Sequence, residues 1–509
     1  MSAPVERAAR AVMALQAAGL AVGVVTQALI AHRFGTSRDL GLYTVAVALV
    51  SFFADWFLRD AVLMALVPPL RALLTGGGGD AEAARARTVA VTFIAGTALI
   101  SAALAVASTS VVRALAPGFG AAEVERAAHL LRALLPALPL AVIGSCLHAE
   151  LQARERFALP SAANVARSAV LAVAVVAGEP WLGIFALPAG VVGGHLLAVW
   201  LLRDAGPAVW GWLVQPLRDR SPRAWLGELV PVGGMLALGA AGHVNLLTDR
   251  WFASRLPAEA LAQLGYAERF RFPIMALFAL SVSGPALTYL SEAAAQRDWD
   301  GARRTIAAAA ALVARTALPA LVVMTIVRGE LVAVWLERGE FSAADTAEVA
   351  AVLGCLIPAF AINAFSPLLI AAFFALGQTR PLLVIVAIEM VGNVVLDALW
   401  VGPFGLRGIA FATSVATVVA NLVLWRLLLA QLGGVGEVAW RRPAATVAML
   451  LVVAAVARSA LGATSGAGAV TRLAAVGFAS AAVLVGARLV ARGRPSAAVA
   501  GAGTAVGER

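Results

Sequence analysis

The chain has 509 residues, of which 61% are hydrophobic and 13% charged, with a formal net charge of +10 and a mean hydropathy of +0.88. A water-soluble domain of this length does not carry so little polar surface, so the composition excludes a soluble enzyme or binding module and makes the bilayer the solvent. Every basic residue is arginine, and a membrane topology facing anionic headgroups accounts for the positive balance without nucleic acid.

Apolar runs long enough to cross ~30 Å of hydrocarbon recur from end to end. In chain order these predicted spans, numbered 1 to 14, are 11–32, 40–74 (long or broken), 88–111, 127–149, 157–178, 181–203, 226–253, 270–290, 302–327, 343–375, 379–400, 405–432, 441–463 and 466–491. They lack the alternation of barrel strands, and only helices or closed barrels satisfy backbone groups in lipid. The expected fold is an all-α polytopic membrane protein. MSAPVERAARAVM leads into span 1 without a small-residue cleavage site, so the first span is expected to be retained. With the N-terminus inside, arginines such as Arg7, Arg10, Arg85, Arg87, Arg154, Arg156, Arg303, Arg304, Arg441 and Arg442 fall on one side, which puts both termini in the cytoplasm. Residues 204–225, with Trp210, Trp212, Arg218 and Arg220, read as an interfacial linker. Cys146 and Cys355 both lie in predicted spans and read as small hydrophobes, not as a disulfide or metal pair.

An internal repeat organises these spans. GFGAAEVERAAHLLRALLPALPL from Gly118 parallels GEFSAADTAEVAAVLGCLIPAF from Gly339, with Phe119 and Pro136 spaced as Phe341 and Pro358 are, and helix-starting Pro160 and Pro381 following. An earlier pair is GLYTVAVAL at Gly41 and GYAERFRFP at Gly265. Six spans separate equivalent positions, so the halves share an orientation and are expected to be related by an axis along the membrane normal. The expected domains are an N-terminal lobe at 1–203, the linker, a C-terminal lobe at 226–432, and spans 13 and 14 with a cytoplasmic tail at 433–509.

Ionisable residues inside apolar runs carry the functional signal, because each costs at least ~2.5 kcal/mol at the bilayer centre. Glu389, Asn393 and Asp397 sit four apart in PLLVIVAIEMVGNVVLDALW, which lines them along one helical face. This stripe is a candidate transport site. His148, His195 and His243 lack ligand spacing and read as satisfied core histidines, while Arg167 and Arg315 either line a cavity or snorkel. The glycine run at 75–84 lacks the Lys-Ser/Thr ending of a phosphate loop, and no nucleotide motif or catalytic constellation is present, so no enzyme activity is expected.

AHRFGTS at 31–37, APGF at 116–119, YAERFRFP at 266–273, LERGEFSAADT at 336–346 and GPFGLRGIAFATS at 402–414 resemble the MurJ/MviN flippases of the multidrug/oligosaccharidyl-lipid/polysaccharide exporter superfamily. The resemblance covers most of residues 11–430. It implies fourteen helices, a bacterial cytoplasmic-membrane location, and alternating access between two lobes. The implied cargo is a polyprenyl-pyrophosphate-linked peptidoglycan precursor or related glycan, carried from the inner to the outer leaflet. Members place cavity arginines on the first, second and eighth helices. Here the first two positions hold Thr26 and Ala54, and only the third is kept, as Arg269 beside Glu268. Arg59, near Asp55 and Asp60, is a candidate replacement charge. The implied cargo site is therefore Arg269, Glu268, Arg59 and Thr26.

The same resemblance implies a sodium site of Asp249, Asn393, Asp397, Thr413 and the Ile409 carbonyl, an oxygen-only set that suits a hard cation. A proton is the alternative coupling ion, and Glu389 is a candidate coupling group. The missing arginines keep two other readings open: a cation-coupled antiporter of small amphipathic compounds, and a non-transporting scaffold for envelope synthesis. The expected partners are the lipid-linked saccharide and membrane lipids, with the protein a monomer or part of an envelope-synthesis complex.

Overall fold

A computed structural model describes residues 3–58, 60–76, 79–205, 209–211, 244–257, 259–274, 280–378 and 380–433. Predicted spans 13 and 14, most of span 7, Arg59, His243 and most of the 204–225 linker lie outside the described residues. Among those described there is helix and turn but no strand, as the apolar runs dictate.

Span 1 is α1 (Ala3–Phe34), and span 2 runs as α2 (Arg38–Leu58) and α3 (Asp60–Leu74). Span 3 is α4 (Asp80–Leu115). Span 4 breaks at Leu135–Pro136 into α5 (Ala121–Leu134) and α6 (Ala137–Ala153). Spans 5 and 6 are α7 (Ala158–Val173) and α8 (Ala186–Leu202), joined through a π turn and Gly183. Span 7 is described as α9 (244–253). The second half follows with α10 (Ala260–Arg269), α11 (Leu280–Gln296), α12 (Trp299–Leu336), α13 (Ala343–Asn363), α14 (Ser366–Ala375) and α15 (Arg380–Leu432).

Seven helical stretches among the described residues are long and apolar enough to cross a membrane. Two of them, Ala158–Leu202 and Arg380–Leu432, have 45 and 53 residues. At ~1.5 Å per residue these are roughly twice the thickness of a ~30 Å core, so each holds two crossings, as predicted for spans 5 with 6 and 11 with 12. The turn is a glycine in both cases: Gly183 at φ 55, ψ −133 and Gly405 at φ 57, ψ −135. Only glycine adopts this conformation without Cβ strain. Prolines related by the repeat act differently: Pro136 starts a new helix, whereas Pro358 is carried inside α13 and the break comes after Asn363.

The outer faces of these helices are apolar and exposed: Leu99 at 72%, Val106 at 89% and Leu399 at 62%. Surface of this kind belongs in lipid. Inside, Val62, Leu66 and Leu70 of α3 pack with Val89 and Phe93 of α4 and with Val142, Cys146 and Leu147 of α6. Cys146 is buried and Cys355 half-buried, and neither forms a disulfide among the described residues. The chain groups into two compact units, one of Met1–Pro273, Trp335–Ile362 and Gly377–Leu427, the other of Ile274–Val334, Asn363–Leu376 and Leu428–Arg509. The polar residues discussed below all belong to the first.

The repeat persists in fine detail within that unit. The Gly120 backbone N–H donates to Glu123 Oε2 at 2.6 Å, and the Ser342 N–H donates to Asp345 Oδ2 at 2.8 Å. These are equivalent helix caps on α5 and α13. His32 and Ser254 are 222 residues apart, as are Gly118 and Glu340. Glu340 N donates to His32 O at 3.1 Å, while Gly118 N donates to Ser254 Oγ at 3.3 Å. Residue i meets j′ where i′ meets j, the reciprocity that a two-fold relation between halves requires. The backbones approach so closely that a Cβ on Gly339 would lie 2.3 Å from His32 O, and one on Gly118 2.1 Å from Ser254 O. Tyr266 completes this junction by donating to Gly35 O at 3.0 Å.

Gly183 and Gly339 both have positive φ, but a Cβ on Gly183 meets nothing within 4 Å. Gly183→Ala is therefore expected to cost about 1–3 kcal/mol of backbone strain alone, whereas Gly339→Ala adds a clash with the backbone of the facing turn. The thermal midpoint of the purified protein should fall clearly further for Gly339→Ala; equal midpoints would contradict the close approach.

Candidate functional site

The Gly405 turn folds α15 back on itself, so residues spaced by four on its two arms face one another. The first arm presents Glu389, Asn393 and Asp397; the second presents Ile409, Thr413, Thr417 and Asn421. Trp400 stacks on Phe411 across the turn, with ring centroids 5.3 Å apart. Asp249 enters from α9. The Asn393 amide donates to Asp249 Oδ1 at 2.8 Å and to Asp397 Oδ2 at 3.1 Å. Thr413 Oγ lies 3.1 Å from both Asp249 Oδ2 and Ile409 O, so its single proton serves one of the two acceptors at a time. Asn393 and Asp397 are fully buried and Asp249 is 4% exposed. The structure thus brings together all five residues expected in one site.

Both amide protons of Asn393 are spent on the two carboxylates, which leaves its carbonyl oxygen as a pure acceptor. That oxygen, Asn393 Oδ1, and Asp397 Oδ1 are buried without a hydrogen-bond partner among the described residues. Two such acceptors, one an oxygen of Asp397 itself, beside the second carboxylate of Asp249 call for a positive charge, either a cation or a proton. No group of three His, Cys, Asp or Glu residues gathers anywhere among the described residues. The donor set here is two carboxylates with neutral amide, hydroxyl and carbonyl oxygens, which suits a hard cation and not a thiolate- or imidazole-loving metal.

Glu389 stands one turn before this group. Thr417 Oγ donates to Glu389 Oε1 at 2.7 Å, and the Asn421 amide donates to Thr417 O at 2.9 Å. The sequence singles out Glu389 and reads Asn421 as a residue that ties helices together, but it does not single out Thr417, the direct partner of Glu389. Its signal was the spacing of Thr413, Thr417 and Asn421 at i, i+4 and i+8, the mirror of the stripe on the other arm.

Two of the expected cargo residues, Thr26 and Glu268, are placed differently from the reading of the sequence, and the arginine-less position Ala54 packs in a core. Thr26 is 2% exposed, and its hydroxyl donates to Val22 O at 2.7 Å within its own helix, so it offers nothing to a ligand in this conformation. Ala54 packs against the α3–α4–α6 core. Glu268 does not pair with Arg269: its carboxylate accepts both terminal nitrogens of the buried Arg250, one at 3.1 Å. That Arg250–Glu268 pair was not foreseen, although a buried arginine beside Asp249 demands a carboxylate. Arg269 itself ends α10 and makes no hydrogen bond or ion pair among the described residues. On the same stretch of chain, Tyr266 meets Phe341 edge-on at 5.3 Å and Phe270 meets Trp335 at 4.7 Å.

A family model described as lipid II flippase MurJ matches residues 30–478. A probable lipid II flippase MurJ from Synechocystis sp. is 25% identical over 454 residues, covering 86% of this chain and 83% of the relative. Its counterpart from Vibrio cholerae is 26% identical over 192 residues, 37% of this chain and 36% of the relative. Among solved structures, the lipid II flippase MurJ in an inward closed conformation superposes with a TM-score of 0.78 at 18% identity, covering 95% of this chain and 98% of that one. An inward-facing multidrug resistance transporter of the MATE family superposes with a TM-score of 0.64 at 17% identity, covering 82% and 94%. The fold is that of multi-pass transporters and not of enzymes, and the match over most of its length makes the chain a member of the MurJ family.

Proposed function

We propose that the protein flips a polyprenyl-pyrophosphate-linked cell-envelope saccharide across the bacterial cytoplasmic membrane by alternating access, coupled to a cation gradient. The observation that carries the cargo reading is Arg269. It is a guanidinium without a hydrogen bond or ion pair among the described residues, and the neighbouring Glu268 is already engaged by Arg250. An arginine fork matches phosphate oxygens bidentately, and pyrophosphate is the anionic group of the cargo that the family's named relatives carry. The peptidoglycan precursor lipid II, or a related lipid-linked glycan, is the substrate class.

Coupling rests on the two orphan acceptors, Asn393 Oδ1 and Asp397 Oδ1. A sodium ion there would be held by Asp249, Asp397, Asn393, Thr413 and the Ile409 carbonyl, and would supply the positive charge that two buried carboxylates require. Because Asp249 comes from α9 and the others from the two arms of α15, occupancy would tie three helical segments together. One charge crossing 100 mV contributes ~2.3 kcal/mol, enough to bias a conformational cycle. The reciprocal junctions at His32–Glu340 and Gly118–Ser254 fit alternating access between two repeat-related lobes, closing the outer side when the N-terminus is cytoplasmic. A second reading, an antiporter of small amphipathic compounds, draws on the absence of arginine at Thr26 and Ala54.

Arg269→Ala should reduce binding of polyprenyl pyrophosphate, read by native mass spectrometry of the purified protein, by about tenfold or more, the effect of removing a charged hydrogen-bonding partner. Unchanged binding would favour the antiporter. Sodium should raise the thermal midpoint relative to choline at equal ionic strength, since a ligand at 100 times its Kd contributes ~2.7 kcal/mol. Asp397→Ala should abolish that rise; a rise of the same size in the variant would sink the site.

A further inference from the structure

Spans 5 and 6 are the repeat mates of spans 11 and 12, and both pairs turn at a glycine of nearly identical backbone, Gly183 and Gly405. Counted from these glycines, Arg167 and Glu389 each stand 16 residues before, and His195 and Thr417 each stand 12 after. Both pairs are in contact: Arg167 Nη1 lies 3.2 Å from His195 Nε2, and Thr417 donates to Glu389 at 2.7 Å. One location in the fold is therefore a polar rung in both halves, but with opposite charge. The other rungs are not shared. Where the second half has Asn393, Asp397 and Thr413, the first has Leu171, Val175 and Val191.

The chemistry around Arg167 is that of a positioned cation. His195 Nδ1 lies 2.8 Å from Val191 O, a carbonyl that can only accept, so the ring proton sits on Nδ1 and Nε2 accepts from the guanidinium. Gly194 lets the arginine lie against α8, because a Cβ there would fall 2.8 Å from Arg167 O and 2.9 Å from its Cγ. Arg167 comes nine residues after Ala158, ~14 Å along the helix and close to half the depth of a ~30 Å core. Bulk headgroups lie away from that depth. Asn164 and Arg167 form an exposed polar face of α7, while Val173, 63% exposed, lies half a turn around from Asn164. An apolar exposed face meets lipid, and a charged exposed face at mid-span meets water or an anion.

We propose that Arg167, positioned by His195, binds the phosphate of the lipid-linked cargo from the first half of the repeat, supplying the positive charge that Thr26 and Ala54 do not. This inference rests on the cargo reading above. The guanidinium is a binding group, and His195 is a positioning residue that fixes its orientation.

The test measures binding of polyprenyl pyrophosphate, uncharged polyprenol and phosphatidylglycerol to the purified full-length protein, by native mass spectrometry with thermal melting as the control for folding. Arg167→Gln is expected to weaken polyprenyl pyrophosphate by about tenfold or more, with polyprenol and phosphatidylglycerol unchanged. Arg167→Lys, without the planar fork, should fall in between. His195→Leu should weaken the pyrophosphate ligand, and His195→Gln, which keeps an acceptor, should restore it. Wild-type affinity in Arg167→Gln alongside a loss in Arg269→Ala overturns the inference and leaves the cargo reading standing. Equal weakening of phosphatidylglycerol also overturns it, making Arg167 an anchor for bulk lipid. If the wild-type protein does not distinguish polyprenyl pyrophosphate from polyprenol, the cargo reading falls and this inference with it. Should Arg167→Gln fail to fold, unaltered affinity in His195→Leu is the overturning result.

Discussion

Asp249, Asn393 and Asp397 are buried together in a chain whose surroundings are almost wholly hydrocarbon, and their mutual hydrogen bonds constrain much of what surrounds them. Two carboxylates do not share a dry site unless positive charge accompanies them, as a proton or as a cation. The single amide between them has two N–H donors, and both are used. What remains is a pair of inward-facing oxygens that only a cation or a hydrogen-bond donor can satisfy. The helices carrying these residues are thereby linked to whatever occupies the site. An apolar core would pack them as well, but it would not leave buried acceptors among them.

The internal repeat gives that arrangement a counterpart. Gly183 and Gly405 impose one turn on both halves, and the reciprocal contacts of His32 with Glu340 and of Gly118 with Ser254 show how precisely the register is kept. Side chains have diverged on this common frame. The second half has acids and neutral oxygens on spans 11 and 12; the first has Arg167 and His195 at one rung and apolar residues at the others. A duplicated scaffold with opposite charges at equivalent positions suits a transporter that handles an anionic lipid and a cation in one cycle.

Much of the architecture was legible in the sequence because lipid imposes simple rules. Span length, the absence of alternation and the repeat of Phe119–Pro136 in Phe341–Pro358 specified helices and their duplication. That Asp249, Asn393, Asp397 and Thr413 form one candidate cluster was legible because polar residues spaced by four in an apolar run have few reasons to be there, and because they resemble a known pattern. Other contacts were hidden. The break between spans 11 and 12 was expected, but not which side chains of the two arms meet once Gly405 reverses the helix, as Thr417 meets Glu389. Arg250 and Glu268 pair from two helices across 18 residues of sequence, and the adjacency of Glu268 to Arg269 in the sequence pointed to the wrong arginine. Thr26 was read as facing a cavity by position alone, whereas its hydroxyl is satisfied one turn back in α1.

Transport itself most directly tests whether the buried acids and the cargo charge belong to one cycle. The protein would be reconstituted in vesicles with a labelled polyprenyl-pyrophosphate saccharide, and the rate of appearance in the opposite leaflet measured with and without an imposed sodium gradient. The account predicts a rate that rises with the gradient and loses that dependence in Asp397→Ala. Movement that proceeds at the same rate whatever the sodium gradient, the membrane potential or the proton gradient would contradict it.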